Sequence, residues 1–361
     1  GIYQIIYMDK VPESAAVNES VKLAKKLTRG LSGFVNAILR SVIREQDSIG
    51  IEDLAANDIE AISFIYNIPL WLINLWIREF GRDKTEDLCA WFNEQPKLTA
   101  RINTILIDIP QCLTMLNEQG WAVTQDSNYE DIIYINSHRG SLEKSEAFIK
   151  GYITFMDKAS MLVARLVNPQ PGERILDCCA APGGKSMYMA TLMDNVGSLM
   201  SCDIHEHKIE LMNSNAERLG ASIVHTKVQD ATKLPDSWNA YFDRVLVDAP
   251  CSGLGILQKK LDMRWRKQES ILRELPPLQL AILERAAMTV KEKGYLIYST
   301  CTLNYKENEE VVETFLQKHK EFSIIPVAED FPLKSNSGMI TTYPPTDDMD
   351  GFFMVKMQRI S

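Results

Sequence analysis

The chain of 361 residues has no C-x-x-C pair, no low-complexity tract and no internal repeat. Its seven cysteines are scattered and odd in number, which argues against a zinc ribbon or a disulfide framework. Such thiols suit a reducing compartment, so a cytoplasmic location is expected. Histidine is scarce, and His205 and His207 lack a third ligand at suitable spacing; no metal site is expected. There is no initiator Met and no signal peptide before Gly1, so a fragment or processed chain is expected. No apolar run is clean enough for a membrane span. Residues 61–77 come nearest, but Asn67, Pro69 and Asn74 interrupt them, and a buried or partly buried soluble helix beginning near Pro69 is the expectation. Positive charge is also short: the net charge of −9 argues against the whole surface attracting nucleic acid. Basic residues are concentrated locally instead. Lys22, Lys25, Lys26, Arg29, Arg40 and Arg44 form one run with no acidic residue between Ser20 and Arg44, and Lys259 to Arg273 form a second around Trp265. Taken alone, either run reads as a solvated face.

What is present centres on residues 174–186, R-I-L-D-C-C-A-A-P-G-G-K-S. A short apolar run, Arg174–Cys179, reads as a buried strand that breaks at Pro182, Gly183 and Gly184 into a helix beginning at Lys185. A strand opening through glycines into a helix leaves backbone N–H groups at the sheet's carboxyl edge, where open α/β sheets bind nucleotide-like ligands. The spacing fits neither the Walker phosphate loop nor the dinucleotide G-x-G-x-x-G.

From Gly151 onward strands and helices alternate. Strands are expected at Arg174–Cys179, Ser198–Ile204, Ser222–Val228, Arg244–Asp248 and Tyr295–Thr300, with Gly338–Tyr343 and Phe352–Gln358 as a closing hairpin. This predicts an α/β domain with a mostly parallel, doubly wound Rossmann-like sheet. Each strand ends in a polar or reactive residue: Asp177, Asp203, Asp230 just after the third, Asp248 in D-A-P-C-S-G, and Cys301 in S-T-C-T. Asp203 lies nineteen residues beyond Gly184, the spacing at which a carboxylate meets ribose hydroxyls. Singly each is a cap or loop residue; five on one rim are a site. Upstream, residues 1–45 read as helices broken at Pro12 and at Gly30/Gly33. Residues 46–95 continue helical, with a core-like stripe of Trp71, Leu72, Leu75 and Trp76. Residues 96–150 read as βαββα, a small ferredoxin-like or RRM-like unit without the aromatic signature for base stacking.

D-C-C-A-A-P-G-G-K, D-A-P-C-S-G and S-T-C-T, in this order, resemble the signature of the NOL1/NOP2/Sun family of RNA cytosine-5 methyltransferases. Residues 1–45, with A-A-V-N-E-S-V-K-L-A-K and G-F-V-N-A-I-L-R, resemble the end of a NusB-like RNA-binding domain, a pairing similar to the bacterial Sun/Fmu branch that methylates small-subunit ribosomal RNA. The resemblance implies four regions: a truncated NusB-like domain (1–45), a helical linker region (46–95), a small α+β RNA-binding subdomain (96–150) and a class I methyltransferase domain (151–361). It implies S-adenosylmethionine as methyl donor, 16S ribosomal RNA as substrate and a monomer. The loop Cys179, Ala180, Ala181, Pro182, Gly183, Gly184 and Lys185 would hold the methionine and ribose portion, Asp203 the ribose hydroxyls and Asp230 the adenine amine. Asp248 would stand between donor and base. Cytosine C5 is a poor nucleophile until a thiolate adds at C6. The family makes Cys301 that thiolate, with Cys251 aiding product release and Asp248 bonding the N3/N4 edge. Lys185 is read either as a cation near a cysteine or as an anchor of the loop. Within this frame the Lys259–Arg273 run becomes an RNA-backbone contact, and Arg101 and Asn103 weaker RNA contacts; Gly351–Phe353 should pack near the active site. Met156–Asp157, Lys293–Gly294 and Leu261 depart from the family pattern. Two alternatives stay open: a cytosine methyltransferase whose nucleophile is Cys251, and a non-catalytic RNA-binding factor that keeps a methyltransferase fold.

Overall fold

The computed structural model describes residues 1–28, 30–45, 58–335 and 337–360. Arg29 and the first part of the expected linker, 46–57, lie outside the described residues. Two compact units are present, Gly1–Ile73 and Asn74–Ser361.

In the first unit, α1 (Ile2–Tyr7), α2 (Glu13–Leu27) and α3 (Ser32–Glu45) form at the expected places, followed by α4 (Asp58–Tyr66). Pro12 sits at the N-cap of α2, and Gly30 takes a left-handed φ of 84° between α2 and α3. Ile5, Ala16, Val17 and Leu39 form the small core of α1–α3, while Tyr3, Leu27 and Phe34 stay exposed. The apolar run 61–77 is broken as its sequence demands. Asn67 adopts φ 52°, Ile68 donates its N–H to the Ser63 carbonyl, and α5 (Leu70–Phe80) starts after Pro69. Leu72, Leu75 and Trp76 are buried. Among the described residues no single helix is long and apolar enough to cross a membrane.

The second unit continues with α6 (Arg82–Asn93) and a four-stranded antiparallel sheet: β1 (Thr99–Ile102), β2 (Ala122–Gln125), β3 (Ile132–Ser137) and β4 (Ile153–Phe155), in the order β2-β3-β1-β4. Between β1 and β2 lies α7 (Ile109–Glu118), capped by the Asp108 carboxylate on the Gln111 N–H and opened by Pro110. Ala100, Ile102, Cys112, Leu116, Trp121 and Ile133 close its core. The expected helix over 141–150 is a 3₁₀ turn followed by the short α8 (Glu146–Ile149). The βαββα reading lacked β4, which pairs antiparallel with β1 through Ala100↔Phe155 and so completes the small sheet beyond residue 150. Three residues, I-T-F, are too few for alternation to announce a strand.

After α9 (Lys158–Val167) comes the large sheet. It comprises β5 (Arg174–Asp177), β6 (Ser198–Asp203), β7 (Val224–Val228), β8 (Phe242–Asp248), β9 (Val290–Thr300), β10 (Phe322–Ile324), β11 (Met339–Thr341) and β12 (Phe353–Arg359). Its order is β10-β12-β9-β8-β5-β6-β7, with β11 also on β12. Pairing is parallel from β9 through β7, while β12, β10 and β11 are antiparallel additions. The expected hairpin is therefore a longer edge in which β12 pairs with β9 as well. α10 (Gly184–Leu192) is buried on nearly every side, which explains its run of Met187, Tyr188, Met189 and Ala190 without a polar stripe. The remaining helices are α11 (Glu206–Arg218), α12 (Met263–Arg266), α13 (Ile271–Thr289), α14 (Glu309–Lys318) and α15 (Pro344–Asp347). Chain order runs outward from β5 to β7 and then returns to β8 on the other side. The crevice between the carboxyl ends of β5 and β8 is thus the topological switch point, where such sheets bind ligands.

Candidate active site

Two loops, following β8 and β9, leave the sheet side by side next to that switch point. β8 and β9 are parallel neighbours with Asp248 opposite Ser299, so the segments carrying Cys251 and Cys301 depart in one direction. Their sulfurs come within 3.2 Å, and the Cys301 N–H points at the Cys251 sulfur at 3.3 Å. The hydrogen bond with Cys301, followed by burial, pushes the Cys251 thiol well up from its ordinary value. Asp248 accepts from Ser299 Oγ at 2.8 Å and from Lys185 Nζ at 2.7 Å. Burial works against the Lys185 ammonium, but Asp248, and after it Cys301, overcome that and hold the proton on. Lys185 thus joins the glycine turn to the D-A-P-C-S-G loop, and its amine lies 5.3 Å from the Phe352 ring centroid.

One cavity of about 530 Å³ runs along this edge. Cys251, Cys301 and Asp248 line one part of it; Cys179, Ala181, Asp203 and Asp230 line another. Asp203 Oδ1 accepts from the His205 N–H at 3.0 Å, with Lys208 Nζ at 3.6 Å. Asp230 accepts from the Thr232 hydroxyl and N–H, which hold its carboxyl below the usual range. Among the loop residues expected at the site, Ala180, Pro182, Gly183 and Gly184 shape the turn without lining the cavity. Ala180 donates to the Cys202 carbonyl, and Gly183 to that of Ala180 at 2.7 Å. A side chain at Gly183 would need φ 100° and would meet Met187 and Met212 at 3.2 Å, so glycine alone fits. Gly351 packs where expected: its N–H reaches the Gly255 carbonyl at 2.8 Å, so close that a Cβ on Gly255 would lie 1.8 Å from the Gly351 oxygen.

Several sequence expectations are corrected here. Asp177 does not join the rim: it is buried beneath the turn, accepts from Ser186 Oγ at 2.7 Å, and burial pushes its carboxyl up to about 7. Arg101 and Asn103 are fully buried and therefore not RNA contacts. Arg101 bonds Thr191 and lies over Tyr188, and Asn103 Nδ2 bonds the carbonyls of Gly151 and Leu219 at 2.9 Å each. In the second basic run, Lys259 is held by Asp157 and Asp350, and the buried Arg264 by Phe92 and Asn93. Both fasten the fold, leaving the exposed Lys260 and Arg273 and the half-buried Lys267 as the cations of that run without an ion pair among the described residues. His205 and His207 stand 5.6 Å apart, and no cluster of three potential metal ligands occurs among the described residues.

Sequence reasoning missed Glu307. This fully buried carboxylate accepts from the Ser252 N–H (2.9 Å) and Ser252 Oγ, from Gln279 Nε2 (2.9 Å) and from Asn304 Nδ2 (2.9 Å). Ser252 follows Cys251, Gln279 also bonds the Pro250 carbonyl at 3.0 Å, and Ser252 Oγ meets Thr302 Oγ1 at 2.7 Å. Glu307 therefore clamps the two thiol-bearing loops to each other. The only signal was its position six residues after Cys301, inside N-Y-K-E-N-E-E, which reads as a solvated polar stretch.

Comparison with known proteins agrees with this architecture. A family model described as 16S rRNA methyltransferase RsmB/F matches residues 164–358; NusB family and RsmF/B-like ferredoxin-like domain models match residues 1–44 and 68–140. The probable ribosomal RNA small subunit methyltransferase B of Bacillus subtilis (strain 168) is 36% identical over 366 residues, covering 99% of this chain and 81% of the relative. That of Synechocystis is 38% identical over 373 residues, with the same coverage of each chain. The crystal structure of PH0851 superposes with a TM-score of 0.86 at 27% identity, over 99% of this chain and 80% of that one. NSun6 from Pyrococcus horikoshii, solved with SFG, shares the fold at a TM-score of 0.73 and 21% identity, over 80% of this chain and 97% of that one. With the Rossmann-like sheet, the ferredoxin-like unit and the helical amino-terminal segment all in place, the chain belongs to the RsmB/F family of 16S rRNA methyltransferases.

Proposed function

We propose that the protein methylates C5 of a specific cytosine in small-subunit (16S) ribosomal RNA, using S-adenosylmethionine and a covalent Cys301–C6 adduct. One observation carries the reading: both thiols and Asp248 share a single cavity with Asp203, Asp230 and the Cys179 and Ala181 side of the turn. The donor set fits S-adenosylmethionine. Asp203 suits ribose hydroxyls, Asp230 suits an exocyclic amine, and the Cys179–Ala181 turn brings backbone close in. When bound, that molecule supplies an electrophilic methyl group.

The protein's task is to make C5 nucleophilic. The Cys301 thiolate adds to C6, forming S–C6 and moving the C5=C6 electron pair into the ring, where the N3/N4 edge bonds Asp248. Fixed by Ser299 and Lys185, Asp248 keeps its place as charge develops. C5 then acts as an enamine carbon. Once it is methylated, transfer of the C5 proton to a solvent water restores C5=C6 and expels Cys301 as thiolate. Cys251, in contact with Cys301 and with its own thiol held protonated, is placed to aid that departure.

Separate variants test this. Cys301→Ala should abolish turnover and adduct formation, whereas Cys251→Ala should accumulate a protein–RNA adduct resistant to denaturing gels. Adduct formation that disappears with Cys251→Ala and persists with Cys301→Ala would reverse the two roles. Bisulfite sequencing of ribosomal RNA from cells lacking the protein, with and without complementation, identifies the cytosine; an unchanged pattern would remove the substrate assignment.

A further inference from the structure

A larger cavity, of about 870 Å³, is lined by residues that follow the Cys301 loop, and the reaction just described does not use it. Its walls come from the end of α5, the start of α13 and residues 303–309. Leu303 and Asn304 bring it within two residues of Thr302. α13 borders both cavities, with Leu272 and Arg273 here and Leu278 and Ile282 at the thiols. At the helical rise of about 1.5 Å per residue, those positions are about 8–15 Å apart along the axis. That is the reach of a neighbouring nucleotide on one strand.

The cavity's chemistry is mixed. Arg78, Arg273 and Lys306 are exposed and have no ion pair among the described residues. Glu79 and Glu309 are partly buried carboxyls near one another, each pushed up by burial, Glu79 to about 7. Among the described residues Glu79 accepts one long bond, 3.3 Å, from the Tyr305 N–H, while Glu309 accepts from its own N–H and from Thr341 Oγ1 at 3.3 Å. Phe80 and the exposed Tyr305 ring supply flat apolar surface. Pro276 and Pro277 lie inside α13 and have no N–H to give the carbonyls four residues back, those of Leu272 and Arg273. Cations without partners, under-used acceptors and aromatic faces match the three parts of a nucleotide: phosphate, amino-bearing base edge and ring.

We propose that this cavity is a second nucleotide subsite, which takes an unpaired base with an exocyclic amino group (adenine, cytosine or guanine, not uracil) from the strand flanking the target cytosine. The proposal rests on the reading of the protein as an RNA methyltransferase. Arg273 and Lys306 meet the phosphate, Glu79 and Glu309 accept from the amino group's two N–H donors, and Tyr305 or Phe80 stacks on the ring. The subsite would set which sequence around the cytosine is accepted.

The test is fluorescence anisotropy with the full chain and short, labelled single-stranded RNAs that carry one cytosine and each of the four bases in turn at the flanking positions. Wild-type protein should prefer adenine, cytosine or guanine over uracil at one flanking position by about five- to tenfold, the size of one base-edge contact. Glu79→Ala should erase that preference, whereas Glu79→Gln, whose amide carbonyl still accepts, should keep it. Arg273→Ala with Lys306→Ala should weaken all sequences alike and flatten the salt dependence. Absence of any flanking preference in the wild type, or its survival in a Glu79→Ala protein that melts normally, overturns the subsite. Methyl transfer to the same RNAs is read in parallel. Transfer without a flanking preference sinks the subsite alone, while preference without transfer sinks the catalytic reading alone.

Discussion

Glu307→Ala is the perturbation whose cost the structure lets one work through. The carboxylate is fully buried and receives four hydrogen bonds. Truncation strands the donors unequally. Gln279 keeps the Pro250 carbonyl and Ser252 Oγ keeps Thr302 Oγ1, so the Ser252 N–H and the Asn304 amide carry most of the loss. Each stranded buried donor costs about 1–3 kcal/mol, and the emptied volume adds to this, giving about 3–5 kcal/mol in total. Water entering the gap draws the value toward the lower end. For a domain of this size, about 3 kcal/mol lowers the melting temperature by about 6–12 °C, which differential scanning fluorimetry resolves easily. Activity should fall further than stability, because the clamp sets where Cys251 sits against Cys301; adduct yield measured well below the melting temperature separates the two effects. A melting temperature within about 2 °C of wild type, with normal adduct formation, would refute the claim that Glu307 holds the loops together.

Asp177→Asn should change how stability depends on pH. The buried carboxyl titrates near 7 in the folded protein and near 3.8 when unfolded, so its contribution is complete below about pH 4 and is lost as pH rises toward 7. In urea unfolding the stability of the variant relative to wild type should rise by about 1–3 kcal/mol between pH 4.5 and pH 8; a constant offset would remove the linkage. Lys293 adopts φ 62°, a left-handed position that favours glycine, and Lys293→Gly should raise stability by about 0.5–1 kcal/mol, with a fall counting against strain there. Lys259→Ala should lower stability while leaving the salt slope of RNA binding unchanged, since its ammonium is spent on Asp157 and Asp350; a slope reduced by about one would restore it as a phosphate contact. Diamide should oxidise the Cys251 and Cys301 thiols to one intramolecular disulfide, being itself reduced to the hydrazine, with activity recovered by dithiothreitol; failure of mass spectrometry to find that crosslink would place the sulfurs farther apart than 3.2 Å.

The parallel strands and the glycine turn were legible because they are local signals. A buried strand reads as an apolar run, and a turn needing φ 100° at Gly183 demands a residue without Cβ. Asp203, which ends β6, and Asp230, two residues past β7, were legible as lining the cavity at the carboxyl edge, because residues there follow directly from a parallel strand. Asp177 shows the limit of that rule. It ends β5 like the others, yet its side chain turns under the loop to Ser186, and nothing in R-I-L-D distinguishes an inward carboxylate from an outward one. Arg101, Lys259 and Arg264 mislead for the related reason that charge predicts exposure only on average: a guanidinium bonded to a backbone carbonyl is as basic in sequence as one facing solvent. β4 stayed hidden because three residues carry no periodicity, and Glu307 because two of its three partner residues, Gln279 and Ser252, lie 28 and 55 positions away.

The meeting of the two thiols is a consequence of register more than of either motif. D-A-P-C-S-G and S-T-C-T lie far apart in sequence, and neither says how its strand aligns with the other. Pairing Asp248 with Ser299 fixes it, because Cys251 then follows by three residues and Cys301 by two from a common level. The same pair bonds through its side chains, and the Ala249 N–H reaches the Ser299 carbonyl at 2.9 Å, so the alignment is held just where the loops depart. A slip of one residue would turn Asp248 or Ser299 to the opposite face of the sheet and separate the carboxylate from the sulfurs. Apolar packing supplies the penalty against such a slip: Val245, Leu246, Val247, Leu296, Ile297 and Tyr298 are all fully buried, and their faces would exchange together. The chemistry at the rim is therefore positioned by a core that contains none of the reacting atoms, and Glu307 holds in place the loops that the core has aligned.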